Sequence, residues 1–351
     1  MSDSTQFAFD EELRNGVVDL WYPVSKSADV AGKPLGLRRL GLDLIAWRDS
    51  SGRVHVQTDT CPHRGAKLSE GEVHGDILEC AYHGWCFDGQ GRCSNIPASR
   101  NANESLAPRL SLETYACQER AGLVWVYFPE TTGTIPPKLV IPEELENPDW
   151  SGFICESVWD VSWILVHENL ADPMHGPYLH GKSFTLGQGT LEDEIRVVRK
   201  DDGFIVERAG QKGINFDWAE FCWDGTLWVR LDIPLPWGPK GILRIVGMVT
   251  PIDGDSSLVY FLRYRKLSGL KKTYWHLVYR YFWEKQHAWV IDQDRVILES
   301  QRGTASRANE HLINSDRGVH ELRRFLRECA DKHRNRKASG QPEPEIVERS
   351  R

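Results

Sequence analysis

Four residues with metal-binding side chains stand in two short groups, Cys61-Pro62-His63-Arg64-Gly65 and Cys80-Ala81-Tyr82-His83-Gly84-Trp85. The order is Cys-x-His, sixteen residues, then Cys-x-x-His. Two thiols and two imidazoles can make a tetrahedral zinc site. They can equally hold a [2Fe–2S] centre, whose mixed ligation raises its reduction potential above that of all-cysteine clusters. Zinc modules usually set the two cysteines together and the two histidines together. Here each loop carries one of each, which favours the iron–sulfur centre and electron transfer. Gly65 and Gly84 suit loops that fold tightly and aim backbone N–H groups at a cluster's sulfides.

A second constellation is Glu168-Asn-Leu-Ala-Asp172-Pro-Met-His175-Gly-Pro-Tyr-Leu-His180. Asn169, Asp172 and His175 are three apart and share a helical face. His180 comes five later, which an undistorted helix swings away. Pro173, Gly176 and Pro177 are helix breakers that allow both imidazoles to converge. Two histidines and one carboxylate form the facial triad of non-haem iron(II) sites, which leaves positions open for O₂. The carboxylate must come from elsewhere, and Asp292-Gln-Asp294-Arg-Val-Ile-Leu-Glu299 is the best source. Taken alone, His175 and His180 fit a structural role as well as a ligand role. His55, His74, His167, His276 and His287 have no ligand spacing and read as structural.

A chain of 351 residues is long enough for two domains. A formal net charge of -7 without a long basic run argues against nucleic acid as a partner. No run of about eighteen apolar residues occurs and the start is polar and acidic, so neither a membrane span nor a signal peptide is expected. Eight cysteines, two of them assigned to iron, leave no disulfide framework, and Cys86 and Cys93 read as free thiols. The expected setting is the cytoplasm. Fourteen tryptophans are expected to pack cores or line an apolar cavity.

The elements that must position these groups fall into two sets. From about Trp21 to Phe128 the chain reads as short strands, including Leu42–Trp47, Val54–Gln57 and Leu123–Tyr127, with turns at Asp49–Gly52 and Asp88–Gly91. An all-β domain over 17–130 with both ligand loops at its tip is expected, then a proline-rich linker over 131–148. A mixed domain over 149–336 follows, with strand-like runs at Ile195–Arg208, Leu227–Ile233, Ile242–Thr250 and Leu258–Arg265. Helical regions bracket them at Trp163 to about His180, Leu270 to about Gln301, and Val319–His333. In the last of these Leu322, Phe325, Leu326 and Cys329 recur at helical spacing. Residues 337–351 are polar and expected to be disordered. The class is α+β.

Both constellations together resemble the Rieske non-haem iron oxygenases. The match is to the two Cys-His boxes, to Asn-x-x-Asp-x-x-His-x4-His, and to an Asp within Gln-Asp-x4-Glu. It covers nearly the whole chain. Ala66, Tyr82 and Trp85 stand where respiratory Rieske proteins carry disulfide cysteines and potential-raising polar groups, which points to the oxygenase and ferredoxin branch. The resemblance implies a Rieske domain followed by a helix-grip-like catalytic domain. It assigns Cys61, His63, Cys80 and His83 to [2Fe–2S], and His175, His180 and Asp294 to mononuclear Fe²⁺; Asp292 lies outside the register. Asn169 is expected near the iron. Asp172 is expected to bridge His175 and the His83 of a neighbouring chain, which implies a head-to-tail homotrimer.

The resemblance further implies electrons from NAD(P)H through a separate reductase, with or without a ferredoxin, and O₂ as co-substrate. The chain's length is similar to α-only oxygenases, so monooxygenation of an aromatic or other cyclic small molecule, by hydroxylation or O-/N-demethylation, is expected. Ring cis-dihydroxylation is the alternative. A non-catalytic Rieske electron carrier and a ligand-sensing relative are the rivals outside oxygenase chemistry. Candidate pocket residues are Phe184, Leu186, Phe216, Trp218, Phe221, Trp283 and Val290, each as apt for a core as for a pocket. Arg208 and Arg230 are candidate carboxylate clamps or solvent-facing charges.

Overall fold

Short β-rich runs closed by Asp-anchored turns build the first half of the chain. Asp49 Oδ1 accepts the N–H groups of Ser51 and Arg53, and Asp88 Oδ1 accepts those of Gln90 and Arg92, each at 2.9 Å. These Asx turns reverse the chain between strands. The structure is a computed structural model that describes residues 13–98, 101, 103, 106–183, 194–209, 218–235, 241–301 and 310–339. Two units divide it, one of residues 18–136 and one from residue 137 onward that also takes in residues 13–17.

Among the described residues the first unit is mainly β, in three antiparallel sheets. Leu123–Phe128, apolar and buried at every position, lies between Leu20–Lys26 and Cys117–Arg120. A second sheet orders Leu35–Arg39, Leu42–Arg48, Val54–Thr58 and Thr114–Tyr115. A small third sheet orders Glu72–His74, Ile77–Glu79, Cys86–Asp88 and Cys93–Asn95. Cys61 and Cys80 belong to one core cluster with Ile45, Trp47, Leu68, Leu78, Trp85 and Phe87. His55, at 2.8 Å from Asp49 Oδ2, pins a turn.

The second unit is a seven-stranded antiparallel sheet with helices. Its strands are β1 (Trp150–Trp159), β2 (Ile195–Lys200), β3 (Gly203–Arg208), β4 (Trp218–Trp223), β5 (Leu227–Leu235), β6 (Gly241–Pro251) and β7 (Ser257–Lys266), in the order β1-β7-β6-β5-β4-β3-β2. Its helices are α1 (Trp163–Leu170), α2 (His175–Leu179), α3 (Leu270–Val278), α4 (Glu284–Glu299) and α5 (Arg317–Ser339). The run expected at 195–208 is a hairpin. β1 and β4 are strands that the sequence reading missed, because Ser, Gly, Cys and Glu in them blur the two-residue period. α5 extends beyond the expected His333, and residues 337–339, expected to be disordered, are its last turn; those from 340 onward lie outside the described residues.

Period-two alternation puts one row of small and apolar residues across a single sheet face. Phe204, Phe221, Val229, Gly247 and Phe261 are successive register partners in that row. α1 covers it: Leu170 lies beside Gly247, and the His167 ring is 6.5 Å from Phe221. Ser162 caps α1 by accepting the Ile164 N–H. The Trp163 indole donates to the Leu13 carbonyl at 2.8 Å, which ties residues 13–17 to this unit. At the β2–β3 end Leu322 and Leu326 are fully buried, and Phe325 packs against Phe204 and Trp223. Arg323 links α5 to Glu168 of α1 at 2.9 Å. The proline-rich stretch is shared: residues from 137 group with this unit, where the buried Glu144 binds Arg230 and Arg244. Among the described residues no helix is long and apolar enough to cross a membrane.

Candidate active site

His175 opens α2, His180 follows its end, and Asp294 lies two-thirds along α4. The helix stops at Leu170 because Pro173 cannot continue it. Asp172 Oδ1 accepts the Met174 N–H at 2.9 Å and closes the turn that leads into α2. That break brings the two imidazoles to 5.3 Å between ring centres. His175 Nε2 lies 3.4 Å and His180 Nε2 3.2 Å from the same atom, Asp294 Oδ1. Ligand atoms of the three residues lie within 4.8 Å of one another, and His180 and Asp294 are buried. No other group of three or more His, Cys, Asp or Glu does so among the described residues.

The opposite ring nitrogens are occupied. His175 Nδ1 bonds the Asp172 backbone carbonyl, and His180 Nδ1 meets Gln293 Oε1 at 2.9 Å. With an acceptor beside each Nδ1, each ring presents its Nε2 to the Asp294 oxygen. Two imidazole nitrogens and a carboxylate oxygen converging in this way suit a borderline divalent metal. Burial disfavours a charged His180, yet Asp294 and Gln293 outweigh it and hold its pKa above the ordinary value. Asn169 Nδ2 donates to Asp294 Oδ1 at 3.3 Å. Gln293 was not foreseen, although its position beside Asp294 was the available signal. Asp292 points elsewhere, to Arg295 at 2.6 Å on the surface.

The Asp172 carboxylate differs from expectation. It lies 4.0 Å from His175 Nδ1, and the hydrogen bond to that ring comes from the Asp172 main chain instead. Its side chain is committed to the Met174 N–H, and burial raises its pKa.

In the first unit the two ligand loops are built alike. The Cys61 N–H donates to the Ala66 carbonyl and the Gly65 N–H to the Cys61 carbonyl, at 2.8 and 2.9 Å. Cys80 with Trp85, and Gly84 with Cys80, repeat the pattern at 2.9 Å. Both glycines stand four residues after their cysteine at positive φ, 74° and 69°, which only glycine adopts without strain. Both cysteines are buried and both histidines exposed. The two thiols are neighbours, and burial pushes Cys61 up to about 11, with Cys80 adding to the rise. The His63 and His83 rings lie 4.6 Å apart, and Trp85 stacks on His63 at 4.4 Å. No three of these four residues bring ligand atoms within 4.8 Å of one another. Thiol beside thiol and imidazole beside imidazole, without closure on one point, fits a two-iron group better than a single zinc ion. None of the eight cysteines is in a disulfide.

Residues 20–116 match the model of the Rieske [2Fe-2S] domain. The chain is 28% identical to the chloroplastic Protein TIC 55 of Arabidopsis thaliana over 90% of its own length and 61% of that protein's. It is 27% identical to the 5,5'-dehydrodivanillate O-demethylase oxygenase subunit of Sphingobium, over 88% of this chain and 74% of that one. A Rieske [2Fe-2S] domain over residues 20–116 is what the family model supports. A solved structure of dicamba monooxygenase bound to dicamba has the same fold, with a TM-score of 0.74 at 22% identity over 92% of this chain and 99% of that one. The α+β architecture, a Rieske domain followed by a domain built on a large antiparallel sheet, is thereby shown.

The pocket candidates separate. Val290 is half-buried one turn before Asp294, and Trp283, also half-buried, lies 5.8 Å from the His287 ring. Phe221 stacks on Phe204 at 4.7 Å in the core under α1. Trp218 packs beneath Arg244 on the opposite sheet face, one residue out of phase with Ala219. Phe184, Leu186 and Phe216 lie outside the described residues. Arg230 is matched to Glu144 and Glu220, so it is no clamp, and Arg208 is buried. His167, buried and bonded to the Trp163 carbonyl, has its pKa lowered to about 4 by burial and stands apart from the triad.

Proposed function

We propose that this chain is the terminal oxygenase component of a multi-component system. His175, His180 and Asp294 hold one iron(II), and Cys61, His63, Cys80 and His83 hold a [2Fe–2S] cluster. The observation that carries this reading is the aim of two Nε2 atoms at Asp294 Oδ1, at 3.4 and 3.2 Å, with both Nδ1 atoms engaged elsewhere. Iron there supplies O₂ activation, and the cluster supplies single electrons. The chain's own residues do the positioning. The Asp172 carbonyl and Gln293 fix the ring tautomers, and Asn169 holds the carboxylate rotamer. Burial of His180 and Asp294 keeps water from that side of the site.

Electrons come from a separate NAD(P)H-dependent reductase, directly or through a ferredoxin; the demethylase relative is likewise named as a subunit. The substrate is an aromatic or other cyclic small molecule, monooxygenated by hydroxylation or O-/N-demethylation. The names of the demethylase and monooxygenase relatives support that choice. Asp172 passes electrons between His175 and a neighbouring chain's His83 in a head-to-tail homotrimer, and the exposure of His83 supports this.

Iron and acid-labile sulfide in anaerobically purified protein test the reading. About three irons per two sulfides is expected, whereas two per two marks an electron carrier. Oxygen uptake with a surrogate reductase, run across methoxy- and N-methyl-aromatic compounds with products identified, tests the reaction. A dihydrodiol as main product replaces monooxygenation with cis-dihydroxylation.

A further inference from the structure

Arg263 lies on β7, on the sheet face that carries Phe261 and faces the helices, and is only 3% exposed. Its Nη1 donates to Cys155 Sγ at 3.1 Å and to the Tyr279 hydroxyl, and its Nε has no partner. Among the described residues no carboxylate pairs with it. Arg323, also buried, and the half-buried Arg230 and Arg244 are treated differently. Arg323 has Glu168 and Glu310, Arg230 has Glu144 and Glu220, and Arg244 has Asp232 and Glu144. A thiol and a phenol are neutral, so the guanidinium charge is left uncompensated, and such a charge is costly to bury.

The surroundings add donors and no negative charge. Burial, then Arg263, pushes His287 down to about 3, so this ring is neutral, and its buried Nδ1 lacks a partner. Burial also keeps the Tyr279 phenol well above its ordinary value. The Tyr279 ring is 5.5 Å from His287, which is 5.8 Å from Trp283. These residues stand on or beside the π-helical turn Tyr279–Trp283, which joins α3 to α4. Wide turns of this kind often mark functional sites.

The cluster also lies within reach of the triad. His287 and Asp294 are seven residues apart on α4, so they share a face, separated by about 10 Å along the axis. Val290 sits between them. One aromatic ring with an acid group at one end and the reacting carbon at the other spans such a distance.

We propose that Arg263 and the Tyr279 hydroxyl form an anion subsite that selects ring carboxylates as substrates, a proposal that rests on the oxygenase reading above. The carboxylate supplies the counter-charge, Arg263 donates to it, and His287, Trp283 and Val290 flank the ring. Neutral analogues leave the guanidinium uncompensated.

Calorimetric binding to the holoenzyme tests this with 4-methoxybenzoate, 3-methoxybenzoate and 4-methoxycinnamate, each beside its primary amide. The acids should bind at least about tenfold more tightly than their amides, the size of a charge-assisted hydrogen bond. Arg263→Gln should abolish that preference while leaving amide affinity within about threefold. Tyr279→Phe, which keeps the ring packing, should weaken the acids alone. Equal binding of acids and amides to the unaltered enzyme overturns the subsite. So does an acid preference that survives Arg263→Gln, or a loss shared equally by acids and amides. Oxygen uptake on the same samples separates the two readings. Turnover without acid preference removes the subsite alone, and acid-selective binding without oxygen uptake removes the oxygenase reading alone.

Discussion

The two candidate metal sites are held in opposite ways. At Cys61–His63 and Cys80–His83 the ligands sit on two local loops, each closed by its own backbone hydrogen bonds. At His175, His180 and Asp294 the ligands come from residues more than a hundred apart, and side chains or a single carbonyl set each ring. The first arrangement is set by contacts within each loop. The second depends on the packing of α1, α2 and α4, and each ligand has a partner whose loss can be read separately.

The largest effect should come from removing one ligand at each site. Asp294→Ala should abolish mononuclear iron and lower turnover on the order of a thousandfold or more, beyond the 10–100-fold typical of outer-shell changes. The visible absorption of the cluster should stay intact. Cys80→Ser should do the reverse, bleaching the cluster while metal analysis still finds the single iron. If either substitution emptied both sites, the contrast between an autonomous and a packed site would be lost.

Asp172→Asn should keep both metals and reduce turnover about a hundredfold. Near-normal oxygen-dependent turnover in that variant would remove the bridging role, and the 4.0 Å gap to His175 makes this the sharper of the two tests. Gln293→Leu frees His180 Nδ1 and should weaken iron retention by about 10–100-fold in a chelator competition, with the cluster unchanged. Unaltered iron affinity would mean that helix packing alone orients the ring.

The smallest effects belong to the loop glycines. Gly65→Ala and Gly84→Ala should each cost about 1–2 kcal/mol from left-handed strain, measured by urea denaturation. Gly84→Ala should cost more, because a Cβ there comes 3.2 Å from Pro97 Cγ, whereas Gly65 has open space. Equal losses would point to backbone conformation alone.

The same contrast explains what the sequence disclosed. Both Cys-His boxes could be read because their geometry is local: residue type, a spacing of two or three, and a glycine four after the cysteine. The β-rich runs at Leu42–Trp47 and Val54–Gln57 were readable, whereas Ile77–Glu79 and Cys86–Asp88, which flank the second box, are too short to stand out. The triad needed a resemblance to join Asp294 to His175, since spacing alone left Asp292 and Glu299 open. Gln293 stayed hidden because its role depends on how α4 meets α2. Trp218 and Phe221 could not be told apart, because sheet face is decided by register. The missing counter-charge at Arg263 was also unreadable, since only the folded sheet shows which acids reach which arginines.

The π-helical turn at Tyr279–Trp283 has a consequence for how this chain can vary. A π turn holds one residue more than the α turn it replaces, so it can absorb a change in length. Deleting one exposed residue there, such as Tyr281, would convert it to regular helix while α3 and α4 stay in place. The chain could then gain or lose a residue at this point in descent without moving Asp294, while the shape beside His287 is redrawn.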